Sequence, residues 1–126
     1  MKKYFFIICI ISISLYSCAK EEGEGGRSSI TGTVHMNDIT GGIQGEYNVP
    51  DYDIYIIYGD ENNIYDDRMR TNYDGTFQFK NLREGSYRIY AYTRDITEES
   101  GVSPVFKSTE IGGNEEANVG TIEVEK

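Results

Sequence analysis

The 126-residue chain contains no tryptophan, one histidine (His35), two cysteines and two prolines. Each scarcity narrows what the protein can do. A Ser–His–acid set would have to recruit His35 with Ser29 or Ser108, and neither serine sits in an elbow-type motif. Cys9 lies inside an apolar run and Cys18 just beyond it, so loss of the run leaves one cysteine, no internal disulfide and no Cys–His pair. Basic residues are also in short supply: 12 Lys and Arg face 21 Asp and Glu, for a net charge of −9. Such a surface repels phosphate backbones, which excludes nucleic acid as a partner. Sustained helical periodicity is missing as well, and no self-similarity occurs at a solenoid period.

What is present begins with a leader. Met1-Lys2-Lys3 is basic, and Tyr4 to Leu15 is free of charge and rich in Ile and Phe, the form of a signal peptide and too short for the ~20 apolar residues of a membrane span. Leu15-Tyr16-Ser17-Cys18 resembles the lipobox of bacterial lipoproteins, although Tyr16 is bulkier than the usual occupant. The resemblance implies that residues 1–17 are removed and that Cys18 carries the acyl chains of a lipid anchor, palmitate among them. Two or three chains at ~0.8 kcal/mol per buried CH₂ hold a protein on a membrane where one does not. Residues 18–28 are acidic and Gly-rich with no apolar pattern, and are expected to form a flexible tether, about 17 Å on average for ten such residues. Cys18-Ala19-Lys20-Glu21-Glu22 is similar to the signal that sends some Gram-negative lipoproteins outward. The expected location is the cell envelope, anchored in the outer membrane and facing the exterior.

Residues 29–126 form one domain, long enough to bury a core without disulfide or metal. Its clearest stretch runs from Thr71 to Tyr92. Asp74-Gly75 signals a tight turn; Phe77 and Phe79 alternate with Thr76, Gln78 and Lys80; beyond Gly85, Tyr87, Ile89 and Ala91 share one face while Arg88, Tyr90 and Tyr92 share the other. Strands are expected over Ser29–Met36, Tyr52–Tyr58, Ile64–Thr71, Thr76–Lys80, Ser86–Thr93, Pro104–Ile111 and Ala117–Glu125, with Asn37–Asp51 as a loop. Seven short strands divided by turn signals indicate an all-β sandwich.

The order Ile30-x-Gly32-x-Val34, Ile54-x-Ile56, then Gly75-x-Phe77-x-Phe79-x-x-Leu82-x-x-Gly85-x-Tyr87-x-Ile89-x-Ala91 resembles the carboxypeptidase-regulatory-like, transthyretin-like group. That resemblance implies a seven-stranded immunoglobulin-like sandwich serving as a non-catalytic accessory or surface module. Transthyretin-like hydrolases end in Tyr-Arg-Gly-Ser, whereas this chain ends Ile122-Glu123-Val124-Glu125-Lys126, so hydrolase activity ranks last among the functions considered and no cofactor is expected.

Two constellations remain. Asp60, Asn62, Asp66 and Asp67 are hard oxygen donors of the kind that suit Ca²⁺, but Asp60-x-Asn62-x-Ile64 fails the EF-hand spacing, and turns favour Asp and Asn for backbone reasons alone. More pointed is a set of aromatics: with Ile54 and Ile56 inward and Tyr87, Ile89 and Ala91 inward, Tyr55, Ile57, Tyr90 and Tyr92 are expected as an exposed binding patch flanked by Arg88 and Asp53. Tyrosine suits recognition because it joins contact area to a directed hydroxyl. The competing explanation is cross-strand packing that only stabilises the sheet. The expected function is a non-enzymatic binding or structural module meeting an envelope protein or a glycan; the alternative is a carbohydrate- or Ca²⁺-binding accessory module.

Overall fold

A computed structural model of the chain describes residues 21–41, 45–60 and 63–126. The expected leader, residues 1–17, and Cys18 lie outside the described residues, as does Asn62. Eight strands follow in order: β1 Glu24–Asp38, β2 Gly45–Asn48, β3 Asp53–Tyr58, β4 Asp67–Arg70, β5 Thr76–Leu82, β6 Gly85–Arg94, β7 Val102–Ile111 and β8 Glu116–Glu125. They make two four-stranded sheets. In the first, β1 is central: β5 and β2 pair antiparallel along its N- and C-terminal halves on one side, and β8 pairs parallel on the other. The second is antiparallel in the order β4-β3-β6-β7. Among the described residues no helix is long and apolar enough to cross a membrane.

The core lies between the sheets and is built from period-2 alternation. Ile30, Val34, Met36, Phe77, Phe79, Leu82, Ile122 and Val124 come from the first sheet, and Ile54, Ile56, Tyr87, Ile89, Ala91 and Ile111 from the second. Each fully buried Ile, Leu or Phe contributes about 1.5–3 kcal/mol relative to exposure. The Asp74-Gly75 turn is formed as its residues dictate. Asp74 Oδ1 accepts from the Thr76 amide at 3.2 Å and from the Thr76 hydroxyl at 2.6 Å, while Gly75 takes φ +80 with no room for a Cβ beside Asn48.

Tyr87 closes the corner between β5 and β6. Its ring is 1% exposed, its hydroxyl donates to the Arg83 carbonyl at 2.7 Å, and it accepts from the Gly23 amide at 2.9 Å. Buried polar groups elsewhere are equally provided for. Thr71 Oγ1 donates to Val49 O at 2.6 Å and accepts from Tyr52 N at 3.0 Å, and among the described residues no buried side-chain polar atom lacks a partner.

The strands differ from the sequence expectation in two places. Gly45–Asn48 was expected within a loop but forms β2; its residues are mostly exposed, so no apolar alternation marks it, and it exists through backbone pairing with the second half of β1. The second difference concerns the N-terminus. Glu24–Ser28 falls in the expected tether, yet it belongs to β1, pairing with Leu82 through a bulged register. Composition could not reveal this, because the segment is held by backbone bonds and by Ser28, whose buried hydroxyl donates to Gly112 O at 2.5 Å and accepts from Glu115 N at 2.9 Å.

Candidate functional site

Directly opposed residues of an antiparallel pair share a face. The registers Tyr55↔Arg68, Tyr55↔Tyr90 and Tyr90↔Phe106 therefore set Arg68, Tyr55, Tyr90 and Phe106 in one row across the outer face of the second sheet. Tyr92, opposite Pro104, stands in the next row on the same face. Tyr65 joins from the turn that leads into β4, so five aromatic rings meet on this face. The Tyr55 and Tyr90 rings stack with centroids 4.9 Å apart and planes at 14°. Tyr92 sets its ring roughly perpendicular to both, at 5.7 Å from Tyr55 and 5.6 Å from Tyr90. Tyr65 lies 5.0 Å from Tyr55, and Phe106 lies 5.0 Å from Tyr90.

The expected patch is thus assembled in part. Tyr55, Tyr90 and Tyr92 are brought into ring contact, but Ile57 is 1% exposed and Tyr90 is 5% exposed, so the expectation of an exposed Ile57 and Tyr90 is corrected. Both point away from the core; outward direction is not exposure when large neighbours cover the position. Tyr90 is enclosed by the rings of Tyr55, Tyr92 and Phe106. Ile57 sits opposite Arg88, whose Nε donates to Gly59 O at 3.3 Å. The surface on offer belongs to Tyr65 (42% exposed), Tyr92 (38%) and Phe106 (46%). Tyr65 and Phe106 were missed in the sequence. Phe106 shares the parity of Pro104 and Ser108 along β7, but its neighbourhood with Tyr90 exists only once the β6–β7 register is known.

Burial, followed by the adjacent Tyr92 hydroxyl, pushes the Tyr90 phenol up to about 12. Burial and then Asp53 raise Tyr55 as well. Both hydroxyls stay protonated at neutral pH. At the rim, Arg70 holds Asp53 at 3.2 Å and Asp51 at 3.5 Å. Tyr52 donates its hydroxyl to the Tyr92 carbonyl, fixing the strand that carries the Tyr92 ring.

The other candidates have structural partners. Asp66 Oδ2 accepts from the Tyr58 amide at 2.7 Å and Asp67 Oδ1 from the Arg68 amide at 2.8 Å, the backbone work that turns ask of Asp. Asp60 is exposed. Asp66 and Asp67 do border, with Glu22, Glu24, Tyr58 and Arg83, an open hollow of about 440 Å³. Among the described residues, no three His, Cys, Asp or Glu side chains are placed to hold a metal ion. His35 Nδ1 lies 3.1 Å from Asn48 Oδ1; Ser29 is at the other end of the same strand's core pairing, and Ser108 is in the opposite sheet.

With this geometry in place the chain can be set beside known proteins. No family model matches it, and no curated protein matches it. Among solved structures it is similar to a Pseudomonas aeruginosa protein described as "a putative carbohydrate binding protein", with a TM-score of 0.51 and 12% sequence identity. The alignment covers 82% of this chain and 91% of that one. At such identity the likeness is one of fold, and the chain belongs to the class of all-β sandwiches.

Proposed function

We propose that this protein is a lipid-anchored, non-enzymatic glycan-binding module of the bacterial outer membrane, exposed to the exterior, whose binding surface is the aromatic outer face of the second sheet. The observation that carries the reading is the group of three exposed rings, Tyr65, Tyr92 and Phe106, mounted on the packed Tyr55–Tyr90 pair. An exposed aromatic cluster on a sheet whose core is complete without it needs a reason beyond folding. Sugar rings present apolar C–H faces that pack on aromatic rings, and their hydroxyls need hydrogen-bonding groups at the rim, here the Tyr55 and Tyr92 hydroxyls and the Asp53 carboxyl. Three further observations support parts of the reading: the description of the Pseudomonas neighbour as "a putative carbohydrate binding protein", the lipobox-like Leu15-Tyr16-Ser17-Cys18, and the Tyr87–Arg83 corner bond, a device of immunoglobulin-like sandwiches that agrees with the carboxypeptidase-regulatory-like resemblance.

A second reading, an envelope protein as partner, is favoured by one observation. Tyr55 and Tyr90 spend their ring faces on each other, which takes those faces away from a sugar, whereas contact with a protein needs no free ring face. Affinity measurements against a panel of envelope polysaccharides test the first reading. The double variant Tyr92→Ser, Phe106→Ser should weaken glycan binding at least tenfold, about 1.4 kcal/mol, in protein that is still folded at the assay temperature by circular dichroism, its melting temperature lowered because the two rings help to cover Tyr90. Glycan binding that survives this double change sinks the assignment of the face; capture of a protein with no glycan binding selects the second reading.

A further inference from the structure

We propose that the segment from Glu21 to Ser28, docked on the domain, works as a mount that holds the sandwich upright on the membrane, with the β5–β6 corner toward the bilayer and the aromatic face standing clear of it. The proposal rests on the lipid-anchor reading of Cys18. Its structural basis is independent of that reading: the stretch expected to be a flexible tether is built into the domain from Glu21 onward. The Arg83 amide donates to Gly23 O at 2.8 Å, the Gly23 amide donates to the Tyr87 hydroxyl at 2.9 Å, and Arg83 Nη1 donates to Glu21 O at 3.0 Å. Gly23 is buried, and a Cβ at Gly85 would lie 2.2 Å from Glu22 Cγ, so the missing side chain at Gly85 is what lets the segment lie down. Only Ala19 and Lys20 separate Cys18 from Glu21. Three peptide steps reach at most about 11 Å, where a ten-residue coil would average about 17 Å and extend much further.

All these contacts fall at one end of the sandwich. Gly59 after β3, Arg83 and Glu84 between β5 and β6, and Gly112 to Glu115 between β7 and β8 are at that end, because Tyr58 pairs with Tyr87 and Gly85 with Ile111. The Asp74-Gly75 turn and the β6–β7 turn, in which Asp95 N donates to Gly101 O at 2.8 Å, are at the other end. From Gly85 to Arg94, β6 rises about 30 Å at ~3.3 Å per residue, which sets Tyr90 and Tyr92 roughly 17 and 23 Å above the corner. The near end carries exposed Asp60, Glu84 and Glu115. Anionic headgroups repel such an end, so the covalent link and not adhesion keeps it close. The aromatic face is then turned sideways at mid-height, open to polymers that run alongside the domain.

The test uses the full acylated chain in vesicles of phosphatidylethanolamine and phosphatidylglycerol. A donor fluorophore is attached at Glu84→Cys or at Glu98→Cys, both exposed positions, with an acceptor on the lipid headgroups; Cys18 is blocked by its acyl group. Energy transfer should be several-fold stronger from position 84 than from position 98, and ten Gly/Ser residues inserted after Lys20 should erase most of that difference. Equal transfer from the two positions in acylated protein, or a difference that the insertion leaves intact, overturns the mount. A chain that carries no acyl group by mass and stays off the vesicles overturns the anchor reading, and the mount with it.

Discussion

Replacing Tyr87 with Phe removes one oxygen and leaves the ring. The hydroxyl has two partners: it donates to Arg83 O at 2.7 Å and accepts from Gly23 N at 2.9 Å. Gly23 is buried, so its amide is left without a partner and without water, at a cost of ~1–3 kcal/mol; Arg83 is half-buried, so its carbonyl, which has lost its donor, adds less than that. The edge-on contact with Tyr58, centroids 5.8 Å apart, is retained. A net loss of about 2–3 kcal/mol follows, and for a domain near 100 residues each kcal/mol moves the midpoint by ~4–8 °C, so Tm should fall by about 10–20 °C. Urea unfolding should show a lower midpoint at unchanged slope, and amide exchange should accelerate at Gly23 and Arg83 ahead of the core strands. Tyr73→Phe serves as the control, because Tyr73 is 92% exposed. A Tyr87→Phe protein within about 0.5 kcal/mol of the parent would refute the view that this hydroxyl holds the N-terminal segment to the corner.

Phe77 is 1% exposed and packs edge-on against Phe79 at 6.0 Å, so Phe77→Ala should cost ~3–5 kcal/mol, enough to leave the domain largely unfolded on a thermal scan above 37 °C. Arg70→Ala removes two exposed ion pairs and should leave the chemical-denaturation midpoint nearly unchanged, with little response to salt in the variant. Tyr58 is pushed up to about 12, first by burial and then by Asp67, Glu24 and Asp66, and Tyr90 is pushed up to about 12 by burial and Tyr92. The folded state holds these protons more tightly than the unfolded chain does. Their contribution is therefore fully present below pH 10, the ordinary phenol value, and is lost as pH rises from about 10 through about 12; spectrophotometric titration and unfolding followed across that window should coincide.

How far the strands can be anticipated depends on what holds each one. Phe77, Phe79, Tyr87, Ile89 and Ala91 alternate into the core as expected, since a strand with one buried face must carry a period-2 apolar pattern. Strand β2 and the first residues of β1 carry no such pattern. They are strands because a neighbour offers free backbone groups at the right place, and that is a property of the partner's position. The outer face divides in the same way. That Tyr55, Tyr90 and Tyr92 turn away from the core follows from the parity of Ile54, Ile56, Tyr87 and Ile89, but parity says nothing about what covers an outward side chain. Tyr90 and Ile57 are buried by neighbours supplied from other strands, while Tyr65 and Phe106 become part of the face through a turn and a strand register.

Sequence by itself therefore determined the all-β class, the residues that make the core, the Asp74-Gly75 turn and the outward direction of the tyrosines, because each rests on local periodicity or on the φ preference of single residues. Tertiary structure alone decided which aromatic rings meet, which remain open to a ligand, and that Glu21 to Ser28 is docked and not free. Those outcomes depend on contacts such as Tyr87 with Gly23 and Phe106 with Tyr90, whose partners are brought together by the folding of the whole chain and by no pattern within either segment.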